Sequence, residues 1–301
     1  MTDKLALVSI GTNSTRLLVI DSECEPLVQR SIGTRLGANL GERGELDPQG
    51  VARTLAVVDE YAAEIRSLAA KPFAIATSAM RRAVDAQRFA DEIERRTGAR
   101  LDILTGPREA EYSFLGATAA LRDRSLLVGV LDVGGGSAEY AYGRDSIEGI
   151  ASCEIGAVRL SEALPGLLGA GVPADLAALE REARDLARTR LEPLRAFPRP
   201  DRVFAVGGTM FNAAAILAAR DREAIDGVEL DRARITGLAR RFLAMDAPTR
   251  RSQPRISPQR ADIFPAGLLI VDEALGLVGA ESCTISQADL LYGYLLERCG
   301  E

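Results

Sequence analysis

Residues 126–140, LLVGVLDVGGGSAEY, narrow the fold more than any other stretch of this 301-residue chain. The apolar run over 126–131 reads as a buried strand and ends at Asp132. Gly134, Gly135 and Gly136 follow, then Ser137 and Glu139. Successive glycines after a strand predict a tight turn whose backbone N–H groups can face an anion with no side chain in the way. Asp132, at the strand end, is placed to hold a cation beside that anion. The competing reading is a glycine-rich hairpin with a solvated aspartate. A second copy weighs against it. Residues 9–16, SIGTNSTR, set beside residues 132–139, DVGGGSAE, put Gly11 on Gly134, Ser14 on Ser137 and Ser9 on Asp132. Each copy follows an apolar run and precedes an alternating one, at 17–20 and 138–142. Two strand–turn–strand units predict two similar domains facing a shared cleft, with phosphates between the turns.

The length allows two domains of ordinary size, and 47% hydrophobic residues support sizeable cores. One of the longest apolar runs, residues 263–271, contains Pro265 and Gly267 and is too short for a membrane span. Asp3 and Lys4 ahead of one short strand predict no signal peptide. Cys24, Cys153, Cys283 and Cys299 form no C-x-x-C pair and no metal spacing. They are expected to be small buried apolar residues in a reducing cytoplasm. The absence of His removes Ser-His-Asp catalysis, histidine-ligated zinc and phosphohistidine chemistry. Lys4 and Lys71 are the only lysines and neither follows a glycine, so there is no P-loop. Arg therefore supplies nearly all of the 37 positive charges. A net charge of −6 argues against a nucleic-acid-coating protein, although clustered arginines can still make a positive cleft. Two Cys-x5-Arg matches, Cys24 with Arg30 and Cys153 with Arg159, lack the glycines and following helix that a thiolate phosphatase loop needs. They are read as chance.

Strand and helix signals alternate along the chain. A hairpin is expected over 5–21 and a strand over 26–32, then a glycine-rich loop over 33–44. Asp47 and Pro48 start a helix whose apolar face includes Val51, Leu55, Val58, Ile65 and Leu68. Strands are expected at 72–76 and 100–104, and helices at 85–97 and 108–121. The short polar stretch 122–125 marks the domain boundary, giving domains 1–123 and 124–301. Beyond the organising hairpin come a strand at 147–153, a helical region from 155 and one long amphipathic helix over 173–196. A strand at 202–206 ends in Gly207, Gly208 and Thr209. That third glycine turn lies at the start of a helix from about 210, where phosphate binding is physically natural. Helices at 231–244, 260–277 and 287–298, a proline-rich loop at 247–258 and a strand at 282–285 complete an α/β pattern.

Candidate chemistry centres on carboxylates and arginines. Glu109, with Glu111, lies in the first turn of the helix opened by Pro107, where an acid also pairs favourably with the helix dipole. Its functional reading is a general base for water attacking phosphorus, which Arg108 beside it would help keep ionised. Arg81 and Arg82 follow a strand end, where α/β folds place ligands, and guanidinium forks suit a phosphate-rich substrate. Arg16, Arg159 and Arg260 have weaker claims on this ground.

These residues together resemble the exopolyphosphatase / guanosine pentaphosphate phosphohydrolase (Ppx/GppA) family in its short two-domain form. The likeness runs in order over nearly the whole chain: IGTNSTRLLV (10–19), ATSAMR (76–81), ILTGPREAEYSFLGA (103–117), LDVGGGSAEY (131–140), IGAVRL (155–160), AVGGT (205–209), RADIFPAG (260–267) and SQADLLYGYL (286–295). It implies two actin-like (ribonuclease H-like) α/β domains of the actin–hexokinase–Hsp70 superfold, with the active site in the cleft. It implies Glu109 as the catalytic glutamate and Asp132 and Glu139 as the holders of Mg2+. Phosphate would be bound by Gly11, Thr12, Asn13, Ser14, Gly134, Gly135, Gly136, Ser137, Gly207, Gly208 and Thr209, with Arg81, Arg159 and Arg260 along the chain.

The activity so implied is release of terminal orthophosphate from inorganic polyphosphate, with guanosine pentaphosphate hydrolysed to tetraphosphate as a second reaction and a role in the stringent response. The expected partners are inorganic polyphosphate and guanosine penta- or tetraphosphate, with no nucleic acid and no membrane. The oligomeric state stays between monomer and homodimer. Ser9 departs from the family's aspartate in D-x-G-[ST]-N, Arg82 and Asp85 replace the usual Asp and Asn, Pro107 and Arg108 replace acids, and Ser257 replaces a common His. The missing carboxylate at position 9 opens an alternative: an alarmone- or polyphosphate-binding sensor with little turnover. An ATP-using kinase or ATPase of the same superfold is a third reading, without an acceptor-substrate motif to support it.

Overall fold

The computed structural model describes residues 4–40 and 44–299. Asp3 of the expected leaderless start and Gly41 of the expected glycine-rich loop lie outside them. The first half contains β1 (Leu5–Ile10), β2 (Ser14–Ile20), β3 (Pro26–Gly33), α1 (Pro48–Ser67), β4 (Lys71–Ala76), α2 (Ser78–Arg82), α3 (Ala86–Thr97), β5 (Leu101–Ile103) and α4 (Gly106–Thr118). Its strands form one sheet in the order β3-β2-β1-β4-β5. The second half contains β6 (Val128–Val133), β7 (Ala138–Gly143), β8 (Ile147–Cys153), α5 (Ala157–Ala163), α6 (Leu176–Arg190), β9 (Arg202–Val206), α7 (Gly207–Leu217), β10 (Glu229–Asp231), α8 (Arg232–Leu243), α9 (Ala247–Arg251), α10 (Pro258–Ala261), α11 (Phe264–Leu277), β11 (Ser282–Ile285) and α12 (Leu290–Leu296). Its sheet runs β10-β11-β9-β6-β7-β8. In each sheet an antiparallel three-strand meander continues into parallel strands, β1 beside β4 and β6 beside β9. The halves are thus copies of one plan, with β10 as an added edge strand, and the expected two-sheet α/β architecture is present.

Local chemistry explains most element ends. Asp47 accepts the Gly50 N–H at 2.7 Å and Pro48 opens α1, as the cap signal predicts. Gly98 closes α3 in the left-handed conformation, φ 73°. Thr105 caps α4 by accepting from the Arg108 N–H. Three expectations need correction. The long helix over 173–196 is broken: α6 ends at Arg190, and residues 192–196 form a separate 3-10 turn. Pro193 offers no N–H and would clash with the carbonyl four residues earlier. Residues 247–258 are not all loop, because Asp246 caps α9 by accepting from the Thr249 N–H at 2.9 Å. Cys24 and Cys299 are disulfide-bonded, with Cα atoms 6.4 Å apart, while Cys153 and Cys283 are buried free thiols. Burial pushes the Cys153 and Cys283 thiols up to about 11 and about 12.

Strand alternation decides what faces the cleft. Ala6, Val8 and Ile10 pack under α1 and α3 with Val58, Tyr61, Ile65, Phe89 and Ile93. Leu7 points the other way, with Leu18, Ile20 and Ile75, onto Tyr112 of α4 and onto Leu290, Leu291, Tyr294 and Leu295 of α12. Ser9 has the parity of Leu7. In the second sheet Val128 and Val130 pack on Ala110, Phe114 and Ala117 of α4, and Asp132 shares their parity. Helix α4 therefore touches both sheets and carries Glu109 between them. The last helix, α12, returns to the first sheet rather than staying with the second. Among the described residues no helix is long and apolar enough to cross a membrane.

Candidate active site

The two glycine turns have the same construction. Gly11 N–H donates to Ser14 O at 2.9 Å, and Gly134 N–H donates to Ser137 O at 3.0 Å. They meet face to face, which explains the glycine run more directly than anion access does. A Cβ on Gly136 would come within 2.6 Å of Ser78 Oγ and 2.7 Å of Thr12 Oγ1, and one on Gly135 within 3.0 Å of Thr12 Cβ. From behind, the first N–H groups of α5 hold the second turn: Ala157 N–H donates to Gly134 O, and Val158 and Arg159 N–H donate to Gly135 O. Between the turns lies a cleft of about 100 Å3.

Gly11, Thr12, Asn13, Ser14, Glu109, Asp132, Gly134, Gly135, Gly136, Ser137, Gly207, Gly208 and Arg260 line this cleft. Arg260 spans it, reaching Thr209 Oγ1 at 3.4 Å on one side and Ser14 Oγ at 3.5 Å on the other. Gly208 gives it room, since a Cβ there would sit 2.5 Å from Arg260 Nη2. Gly207, φ 85°, lies against Asp132, with a notional Cβ 2.6 Å from its Oδ1. Thr209 is fully buried beneath Arg260. The halves are tied elsewhere by Arg35 with Asp262 at 2.7 Å and by Asn39 N–H with Glu162 at 2.7 Å.

Arg108, expected to support Glu109, turns instead to Glu111 at 2.6 Å, one helical turn along α4, and two of the arginines expected at the phosphate chain are committed elsewhere. Arg81 binds the Glu109 carboxylate through Nη1, which also donates to Leu104 O at 2.7 Å. Arg159 donates to Glu154 O at 2.9 Å and pairs with the Glu154 carboxylate at 2.5 Å. Neither is among the cleft-lining residues. Arg16, given little weight in the sequence, does line the cleft, together with Ser9, Thr77, Ser78, Leu290 and Leu291. No local signal marks α12 as part of this wall, because it comes from the far end of the chain.

Burial sets the electrostatics. It pushes Glu109 up to about 7, against the opposing pull of Arg81. It pushes Asp132 up to about 6, with Asp289 adding to the rise and Arg16, Ser113 and Arg260 opposing it. Glu139 lies well above the usual carboxylate range through burial and the nearby charges of Glu109 and Asp132. Asp132 and Glu139 are directly opposite on β6 and β7. Asp132 accepts from Ser113 Oγ at 3.2 Å and Glu139 from Ser152 Oγ at 3.0 Å. Among the described residues neither forms an ion pair with a basic side chain, and no cluster of three or more His, Cys, Asp or Glu is arranged to hold a metal. Asp132 is half-buried and lines the cleft, whereas Glu139 is buried and is not among the cleft-lining residues. Two adjacent carboxylates without an ion-paired arginine fit a hard divalent cation that completes its shell with water and phosphate oxygens, the habit of Mg2+.

Residues 19–300 match the Ppx/GppA phosphatase family. Exopolyphosphatase 2 of Mycobacterium tuberculosis (strain H37Rv) is 30% identical over 325 residues, covering 99% of this chain and 99% of that protein. The crystal structure of an exopolyphosphatase-like protein superposes with a TM-score of 0.89 at 26% identity, covering 99% of each chain. The Aquifex aeolicus Ppx/GppA family member superposes with a TM-score of 0.80 at 25% identity, over 98% of this chain and 97% of that one.

Proposed function

This chain belongs to the Ppx/GppA phosphatase family, and from that premise we propose that it releases terminal orthophosphate from inorganic polyphosphate with the help of Mg2+. The observation that carries this reading is Glu109. It is a buried carboxylate poised near neutral pH, held by Arg81, opening into a cleft walled by two glycine turns. A base with that titration point is half ionised at working pH and still basic enough to take a proton.

The terminal phosphoryl lies between the turns of residues 11–14 and 134–137. Glu109 orients the attacking water and accepts its proton. Arg260 meets the phosphate chain from the side that bridges the halves. Asp132 and Glu139 hold Mg2+, which supplies positive charge to the phosphoryl oxygens. Rate enhancement comes mainly from positioning and charge stabilisation. Guanosine pentaphosphate presents the same terminal phosphoryl and is the second substrate of this proposal.

Ser9 favours one further reading, a ligand sensor with slow turnover. It is buried at the strand end equivalent to Asp132, where a hydroxyl adds no negative charge. The deciding experiment is phosphate release from long-chain polyphosphate and from guanosine pentaphosphate, with and without Mg2+, using Glu109→Gln as control. The proposal expects metal-dependent release that falls about 100- to 10,000-fold in the control, with tripolyphosphate binding kept. Equal loss of binding and turnover would remove Glu109 as the base. Binding without release by the parent protein would favour the sensor.

A further inference from the structure

Helix α4 carries more of the site than Glu109. One turn further along the same face lies Ser113, whose side chain is buried. A hydroxyl inside a helix commonly donates back to the carbonyl four residues earlier. Thr97, Thr118, Ser161 and Thr189 do so in this protein. Ser113 instead reaches out of its helix, and its Oγ donates to Asp132 Oδ2 at 3.2 Å. The bond joins the helix that bears Glu109 to the strand β6 of the second sheet.

Packing makes this bond a fixed one. Ala110, Phe114 and Ala117 of α4 lie on Val128 and Val130, so Ser113 rides on the strand that carries Asp132. The two oxygens of Asp132 are thereby made unequal. Oδ2 is held by α4, while Oδ1 lies against Gly207, where a notional Cβ would be 2.6 Å away. A carboxylate that binds a cation through one oxygen is aimed by the hydrogen bond on the other. That aim matters more in this chain because Ser9, at the matching place in the first hairpin, supplies a hydroxyl and no carboxylate.

We infer that Ser113 is a positioning residue for the divalent cation: by holding one oxygen of Asp132 it aims the other, and it does so from the helix that carries Glu109. Base and metal ligand are thus kept in register by one element. The inference rests on the proposed placement of Mg2+ at Asp132 and Glu139.

Mn2+ titrated into the chelator-stripped full chain, followed by the paramagnetic resonance signal of the free ion, reads the site without turnover, and Mg2+ is then read by competition. Ser113→Ala weakens Mn2+ binding about tenfold. Ser113→Thr keeps the hydroxyl and stays within about threefold of the parent. Ser113→Cys fills the same space with a weak donor and shows the tenfold loss again, so the test stands even if alanine destabilises the fold. In phosphate release from tripolyphosphate, the alanine and cysteine variants need about tenfold more Mg2+ for half-maximal rate. Their kcat at saturating Mg2+ stays within about threefold of the parent, because Glu109 keeps its contact with Arg81. Parental Mn2+ affinity in both variants overturns the inference, whatever their melting temperatures. A fall in kcat that excess Mg2+ does not restore also overturns it, since Ser113 would then only support α4. A parent protein that binds no Mn2+ refutes the metal placement and this inference together. One that binds Mn2+ and releases no phosphate refutes the phosphohydrolase reading alone, and the binding data still decide the role of Ser113.

Discussion

Replacing Arg81 separates two roles that an arginine beside a phosphate site can have. Arg81 touches the carboxylate of Glu109, and the two side chains are 19% and 8% exposed. Opposite charges about 4 Å apart in such a setting attract by about 4 kcal/mol. At about 1.4 kcal/mol per pH unit, that corresponds to roughly three units in the titration of Glu109. With Arg81 present, burial leaves Glu109 at about 7. Without it, the carboxyl should ionise only around pH 10. At pH 7.5 the ionised fraction then falls from about three-quarters to about three thousandths, and kcat/KM for tripolyphosphate falls about 200-fold. The assay is kcat/KM for Arg81→Gln between pH 6 and 9.5 at saturating Mg2+, with Arg81→Lys as the charge-keeping control. The expected result is an acid limb displaced upward, activity partly recovered at pH 9.5, and tripolyphosphate affinity nearly unchanged. If activity is lost as a rise in KM while the acid limb stays near pH 7, Arg81 acts on substrate and the reasoning fails.

Further perturbations probe the frame that holds the site. Cys299→Ser opens a loop of 275 residues and should lower stability by about 2–5 kcal/mol; a melting temperature indifferent to both the substitution and reductant would contradict this. Gly293→Ala forces a methyl against Tyr112 O and should cost about 1–3 kcal/mol, seen as a drop of several degrees in melting temperature. An unchanged melting temperature would mean that the contact between α12 and α4 relaxes freely. In chelator, the protein should become less stable as pH rises from 4 to 7. Glu109 and Asp132 titrate higher folded than unfolded, so their stabilisation is complete below pH 4 and is lost as pH climbs through their folded values. Glu109 alone accounts for about 3 kcal/mol. Mg2+ should reverse the loss, and Glu109→Gln should flatten it. A chelated protein equally stable at pH 5 and 8 would disprove the account.

The repeated strand–turn–strand units, the caps at Asp47 and Gly98, and the cleft placement of Glu109, Asp132 and both glycine turns are legible in the chain alone. Each depends on neighbours a few residues away: alternation, a cap, a turn that side chains would crowd. Partner choice is not legible in that way. Whether Arg81 meets phosphate or Glu109, whether Arg159 faces the cleft or Glu154, and which carboxylate holds Arg16 depend on groups far apart in sequence. Asp289 lies 273 residues from Arg16, and Cys299 lies 275 from Cys24. Periodicity describes which face a side chain occupies, and not what the opposite wall presents. The sequence by itself therefore determined the duplicated α/β frame and the kinds of chemical groups at its centre. The tertiary structure alone decided their pairing and ionisation, because it brings α4 between the sheets and α12 back onto the first, and sets three buried carboxylates and the half-buried Asp132 close to Arg16, Arg81 and Arg260.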